Sequence, residues 1–204
     1  MEKRINSKNL IIIFYRNPVK GTVKTRLAAG IGDEAALAVY KQLSEMTMKA
    51  VRPVASKKNV YYDQHIIHDD IWSEGDFEKT VQVGFDLGER MAAAFRHGFE
   101  QGCERILIIG TDCPDLKTNM LEDAFNQLDT YDAVIGPALD GGYYLLGLKR
   151  FISEVFQDMV WGSDQVFQQT MIRLKQLGQS VGLLESLRDI DRPEDIDQWG
   201  GFRI

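Results

Sequence analysis

Residues 10–26 read Leu10-Ile11-Ile12-Ile13-Phe14-Tyr15-Arg16-Asn17-Pro18-Val19-Lys20-Gly21-Thr22-Val23-Lys24-Thr25-Arg26. The first six are an unbroken apolar run rich in β-branched residues, the pattern of a strand covered on both faces. The run stops at Arg16, and a polar loop follows with Pro18, Gly21 and the cations Arg16, Lys20, Lys24 and Arg26. A basic loop at the mouth of a buried first strand is the feature from which the fold and the chemistry are read.

Outward from this point, strands and helices alternate. Ala36, Val39, Tyr40, Leu43, Met46 and Ala50 fall on one stripe of a helix from about Asp33 to Val51, with Asp33 as its cap. Val60–Tyr62 and Thr80–Val83 are short strands. Leu87, Met91, Phe95 and Phe99 recur every four residues and predict a second helix. Arg105–Ile109 is another buried strand, closed by Gly110, and Leu121, Ala124, Phe125 and Leu128 line a helix after it. Ala133–Ile135 and Tyr143–Leu148 are strands joined by the turn Asp140-Gly141-Gly142. Ser163 caps a helix with Val166, Phe167, Thr170, Met171 and Leu174 inside, ending at Gly178. Asp191, Pro193 and Glu194 open a last short helix. This alternation predicts a mainly parallel sheet with helices on both faces, a Rossmann-like α/β fold built as a single domain over residues 1–204.

The bulk numbers fit. The chain has 204 residues, 44% hydrophobic and 26% charged, enough for one core without disulfides. A net charge of −6 argues against a general nucleic-acid surface. The two cysteines, Cys103 and Cys113, form neither a disulfide framework nor a zinc motif, so a reducing cytoplasm is the expected location. The basic start, Met1 to Asn9, precedes an apolar run too short for a signal peptide core or a membrane span.

In parallel sheets of this kind, ligands bind beyond the carboxyl ends of the strands. Three loops qualify. In the first, Lys20, Lys24 and Arg26 supply fixed donors suited to a diphosphate, and Gly21 lets the backbone approach a ligand; the same residues could also form a solvated basic loop. Lys24-Thr25 is not part of a P-loop, because Val23 stands where that motif needs glycine. In the second, Gly110-Thr111-Asp112-Cys113-Pro114, Asp112 is placed either to hold Mg²⁺ or Mn²⁺, which bind through oxygen and share substrate phosphates, or to cap a turn before Pro114. In the third, Asp140-Gly141-Gly142-Tyr143 is a hairpin signal, or an opening for substrate with Asp140 contacting a hydroxyl or acting as a base. Asp189-Ile190-Asp191 starts a helix or folds back with Asp191 as a second metal ligand. Gly84–Arg90 could line the pocket, with Glu89 and Arg90 otherwise helix surface. Trp161 could stack on a sugar or serve as a half-buried core aromatic. His65, His68 and His97 show no metal-ligand pattern.

As an ordered set, Pro18–Leu27, Asp86–Met91, Gly110–Pro114, Gly136–Tyr143 and Asp189–Asp191 resemble a family of small bacterial proteins, the A-type glycosyltransferases of the nucleotide-diphospho-sugar transferase superfamily. The match runs in order over about residues 10 to 197. The resemblance implies an A-type glycosyltransferase fold, a divalent metal cofactor and a nucleotide or nucleotide sugar bound at the first loop. By that similarity Asp112 is the metal-binding aspartate, and Lys24 and Arg26 are phosphate contacts. Asp112 stands in Thr-Asp-Cys-Pro, not in a full Asp-x-Asp triplet, and Asp191 is taken as the second ligand. The first loop also resembles that of the 2-phospholactate guanylyltransferases.

Three functions follow as expectations. The first is metal-dependent transfer of a glycosyl group from a nucleoside-diphosphate sugar to an acceptor the motifs do not specify, with Asp140 at the acceptor and Gly141, Gly142, Tyr143 and Trp161 in the substrate pocket. The second is nucleotidyl transfer with release of pyrophosphate. The third is a non-catalytic nucleotide-binding module.

Overall fold

The first apolar run becomes the strand β1, Asn6–Tyr15, in the computed structural model, which describes residues 5–200. The basic residues Met1–Arg4 lie outside the described residues. Alternate side chains of β1 enter two different cores. Ile11, Ile13 and Tyr15 face one, and Leu10 and Ile12 face the other. A strand whose two faces are both dry must be covered on both sides, which is why its sequence does not alternate with polar residues.

Seven strands form one sheet: β1, β2 (Ser56–Tyr62), β3 (Glu78–Val81), β4 (Arg105–Ile109), β5 (Ala133–Pro137), β6 (Tyr143–Leu148) and β7 (Val181–Leu183), in the order β3-β2-β1-β4-β6-β5-β7. All neighbours are parallel except β6, which runs antiparallel to both β4 and β5. The Asp140-Gly141-Gly142 turn accounts for that reversal, because a short hairpin can only join antiparallel strands. The helices are α1 (Thr25–Ile31), α2 (Asp33–Val51), α3 (Leu87–Glu100), α4 (Thr118–Gln127), α5 (Val166–Gln176) and α6 (Pro193–Trp199), with a 3₁₀ turn at Ser153–Phe156. Helices α2 and α4 pack in the core with Ile11 and Ile13; α3, α5 and the 3₁₀ turn pack in the core with Ile12. A third, smaller core joins α1, α2 and α6 through Leu27, Ala36, Val39, Leu43 and Ile196. No helix of the described residues is long and apolar enough to cross a membrane.

Several local expectations change. Helix α1 begins at the end of the stretch read as loop and runs on through residues given no element; it is seven residues long, carries Gly30 and has no side-chain cap, so periodicity has nothing to register. Asp33 is the first residue of α2 and the cap is Gly32. Ser163 does not cap α5. Its hydroxyl donates to the Val160 carbonyl at 2.8 Å, and the helix begins after Gln165. Strand β7, three residues long, and the 3₁₀ turn are too short to show a period.

The region beyond β2 closes the sheet without a helix. Trp72 and Phe77, both buried, stack edge-on at 5.2 Å, and Trp72 meets Tyr15 in the same geometry at 5.5 Å. Such aromatic pairs each add about 0.5–1.5 kcal/mol beyond the area they bury.

Ile12 is fully buried in the middle of β1 and cannot be truncated without leaving a void. Ile12→Ala is expected to lower unfolding free energy by about 2–5 kcal/mol. In denaturant this should read as an earlier midpoint with an unchanged slope.

Candidate active site

β1 has β2 on one side and β4 on the other, so the strand order switches direction between β1 and β4. The loops leaving the carboxyl ends of these two strands diverge and open a cleft of about 720 Å³. Asn17 anchors the first loop. Its side chain is buried, its N–H donates to Asp63 Oδ1 at 2.7 Å, and its amide donates to the His65 carbonyl at 2.9 Å. Tyr40 of α2 brackets the residue before it, accepting from the Arg16 N–H at 2.9 Å and donating to the Arg16 carbonyl at 2.8 Å. Burial, then the neighbouring Tyr15 and Asp112, push the Tyr40 hydroxyl above its ordinary range, so it stays a donor.

Lys24 ends this loop in the left-handed region, at φ 50° and ψ 45°. A non-glycine residue there is disfavoured by roughly 1–2 kcal/mol. The conformation turns its side chain inward, where it is only 6% exposed, with Nζ 2.5 Å from Asp112 Oδ1. A desolvated ammonium needs a counter-charge, and Asp112, itself 48% exposed, supplies it from the loop after β4.

The third wall comes from far along the chain. After β7, residues 184–191 run beside β5. The N–H groups of Leu184 and Leu187 donate to Ile135 and Pro137 at 2.9 and 3.0 Å, and the N–H of Ile190 donates to the Asp112 carbonyl at 3.0 Å. Ile190 is fully buried, and Asp189 and Asp191 flank it at the cleft. Asp191 accepts from Arg26 Nη1 at 3.0 Å. Burial first, and then the charge of Asp140, push the Asp189 carboxyl up to about 6. Asp112 adds to this, while Lys24 opposes it. Asp140 is held by the Gly142 N–H, which donates to its Oδ1 at 2.8 Å.

The far side is apolar and aromatic. Tyr143 and Trp161 line it with the start of α3. Gly88 lies so close to Trp161 that a Cβ would stand 2.5 Å from the indole nitrogen. Asp86 accepts from the Glu89 N–H at 2.8 Å, and the Glu89 carboxylate accepts from the Phe85 N–H at 2.8 Å. Arg90 Nε donates to the Gly84 carbonyl at 3.0 Å. These bonds fix the rim that carries Phe85.

The cleft thus gathers Lys24, Arg26, Asp112, Asp140, Gly142, Tyr143, Trp161 and Asp191. Three residues expected at the site are elsewhere. Lys20 reaches outward to Glu34, with Nζ 2.5 Å from Oε2. Gly21 faces Asp33, 3.6 Å from where its Cβ would be. Gly141, at φ 91°, packs on the start of α5, where a Cβ would stand 2.1 Å from the Asp164 carbonyl oxygen; its role is to let the hairpin touch that backbone. Asp189, Arg16 and Asp63 also line the cleft and were not selected from sequence. The Asp-Ile-Asp spacing held the signal for Asp189, because in an extended segment residues two apart share a side. Among the described residues no three His, Cys, Asp or Glu side chains stand together as a self-sufficient metal site.

Asp189 sets a pH dependence. Between about pH 4 and pH 6 the unfolded chain releases a proton that the folded chain retains, so this carboxyl lowers stability as pH rises through that window. Asp189→Asn, compared with wild type in chelator, is expected to be the more stable protein at pH 7. The difference should vanish below pH 4, and thermal melts at the two pH values read it.

Comparison with known proteins gives this geometry a context. A crystal structure from Desulfovibrio desulfuricans G20, provisionally assigned as a nucleotide-diphospho-sugar transferase, superposes with a TM-score of 0.88 at 31% identity, over 95% of this chain and 86% of that one. The 2-phospho-L-lactate guanylyltransferase of Methanocaldococcus vulcanius is 28% identical over 148 residues, which are 69% of this chain and 61% of the relative's length. The 4-diphosphocytidyl-2C-methyl-D-erythritol synthase of Anaerococcus prevotii shares the fold, with a TM-score of 0.59 at 12% identity over 94% of this chain and 96% of that one. The profile of a bacterial family described as "Uncharacterized protein conserved in bacteria (DUF2064)" matches residues 47–163. The chain belongs to this family and has the nucleotide-diphospho-sugar transferase fold.

Proposed function

We propose that the protein is a metal-dependent glycosyltransferase that takes its donor group from a nucleoside-diphosphate sugar. One observation carries this reading: most of the cleft's cations gather at one end, where Lys24 and Arg26 each pair with a carboxylate. Of the four lining cations, Arg16, Lys24 and Arg26 leave the sheet together after β1, whereas Asp140, Tyr143 and Trp161 lie where the hairpin and the α5 approach meet the cleft. The cationic end suits a diphosphate. The end with Asp140 and the aromatic rings suits sugar hydroxyls and an acceptor hydroxyl.

In this reading Lys24 and Arg26 bind the diphosphate. Asp112 and Asp189 would hold Mg²⁺ or Mn²⁺, with phosphates and water completing the shell. Asp189 takes this role in place of Asp191 because it feels the charges of Asp112 and Lys24, whereas Asp191 faces Arg26. Asp112 adds to the upward shift of Asp189 and Lys24 opposes it, so the two carboxylates face one region of the cleft and fit such an ion. A metal bound there would offset charge on the departing diphosphate. Asp140 receives the acceptor proton. The acceptor oxygen bonds to the anomeric carbon, the bond from that carbon to the β-phosphate oxygen breaks, and the electron pair leaves with the nucleoside diphosphate.

A second reading, nucleotidyl transfer with release of pyrophosphate, is favoured by the guanylyltransferase relative. Calorimetry against a panel of nucleoside-diphosphate sugars in Mn²⁺ should show heat with at least one, and Asp112→Asn should weaken that binding by about 10–100-fold. Heat from none of the panel, together with pyrophosphate release from one of the four common triphosphates, would exchange the first reading for the second.

A further inference from the structure

The carboxylate that would hold the metal is already bonded to a cation of the protein. Lys24 Nζ sits 2.5 Å from Asp112 Oδ1, and its side chain is almost wholly buried. An ammonium at that distance takes one lone-pair position of the carboxylate and repels a divalent cation brought to the same group. The lysine main chain has little freedom to relieve this, because its carbonyl accepts the first helical bond of α1 from the Ala28 N–H at 2.8 Å. Relief of that repulsion falls to the side chain, and it needs an anion to move to. Asp191 is paired with Arg26, and Asp189 and Asp140 are the remaining carboxylates of the same wall.

We propose that Lys24 is a tethered competitor for the metal position at Asp112: it holds the carboxylate while the cleft lacks nucleotide, and a nucleoside diphosphate draws it away and frees Asp112 for the divalent cation. This rests on the reading of Asp112 as a metal ligand. Metal alone then binds weakly, nucleotide alone binds weakly, and each strengthens the other by the same factor, as linkage requires. The arrangement also spares an empty cleft the repulsion among Asp112, Asp140 and Asp189. The exchange is a change of partners for one ammonium; no bond is made or broken.

The experiment measures Mn²⁺ alone, by the electron paramagnetic resonance signal of the free ion, against wild type, Lys24→Met, Arg26→Met and Asp112→Asn. Lys24→Met is expected to bind Mn²⁺ about tenfold more tightly than wild type. Arg26→Met loses the same charge from the same loop but frees a different carboxylate, and should gain much less. Equal affinity in wild type and Lys24→Met, or an equal gain in both variants, overturns the competition. Unchanged Mn²⁺ affinity in Asp112→Asn instead overturns the metal-ligand reading beneath it. Wild-type protein supplies a measurement that does not depend on a variant folding. Reductive methylation mapped by mass spectrometry should find Lys24 protected in chelator and reactive in saturating Mn²⁺, and identical reactivity in both conditions also refutes the exchange.

Discussion

An ammonium group removed from water must be neutralised by something held still, and the loops around the cleft are arranged to meet that demand. Lys24 enters the interior because its backbone adopts a left-handed turn between β1 and α1. Asp112 meets it because β4 is the parallel neighbour of β1 and ends at the same level of the sheet. The pair joins two segments 88 residues apart in sequence at the point where the strand order changes sides. The Asp112 carbonyl then receives the Ile190 N–H, which brings a second acidic segment to the same place. One ion pair and one backbone bond thus position three of the cleft's loops.

Charge within the cleft follows from topology. Three of the four cations arrive after the first strand, and Asp63, Asp112, Asp140, Asp189 and Asp191 arrive after later strands and on the returning segment. Asp189 shows the electrostatic burden of this wall in its elevated proton affinity, driven by burial and then by Asp140. Such sites favour ligands that carry both phosphate and metal. Trp161 and Tyr143 provide a contrasting aromatic surface in the same cleft.

Much of the scaffold was legible in the residues. Leu10–Tyr15 announces a strand buried on both faces, the stripe from Ala36 to Ala50 gives α2, and Asp140-Gly141-Gly142 marks the hairpin that makes β6 antiparallel. Features set by distant partners were not legible. Helix α1 depends on packing Leu27 against α2 and α6. Lys20 and Lys24 are four residues apart in one loop, yet one finds Glu34 in solvent and the other Asp112 in the interior. Nothing local distinguishes them. Asp189 looked less important than Asp191 because its distinctive property, a carboxyl driven toward protonation, exists only after burial beside Asp140.

The returning segment has a consequence for the order in which the cleft matures during synthesis. Six of the seven strands lie before residue 149, so a chain emerging from the ribosome can assemble most of the sheet while its acidic third wall is still untranslated. Until residues 184–191 emerge, the Asp112 carbonyl lacks its partner and the cleft lacks Asp189 and Asp191. Ligand recognition is thereby deferred until that segment has emerged, after the β1–β4 framework has formed.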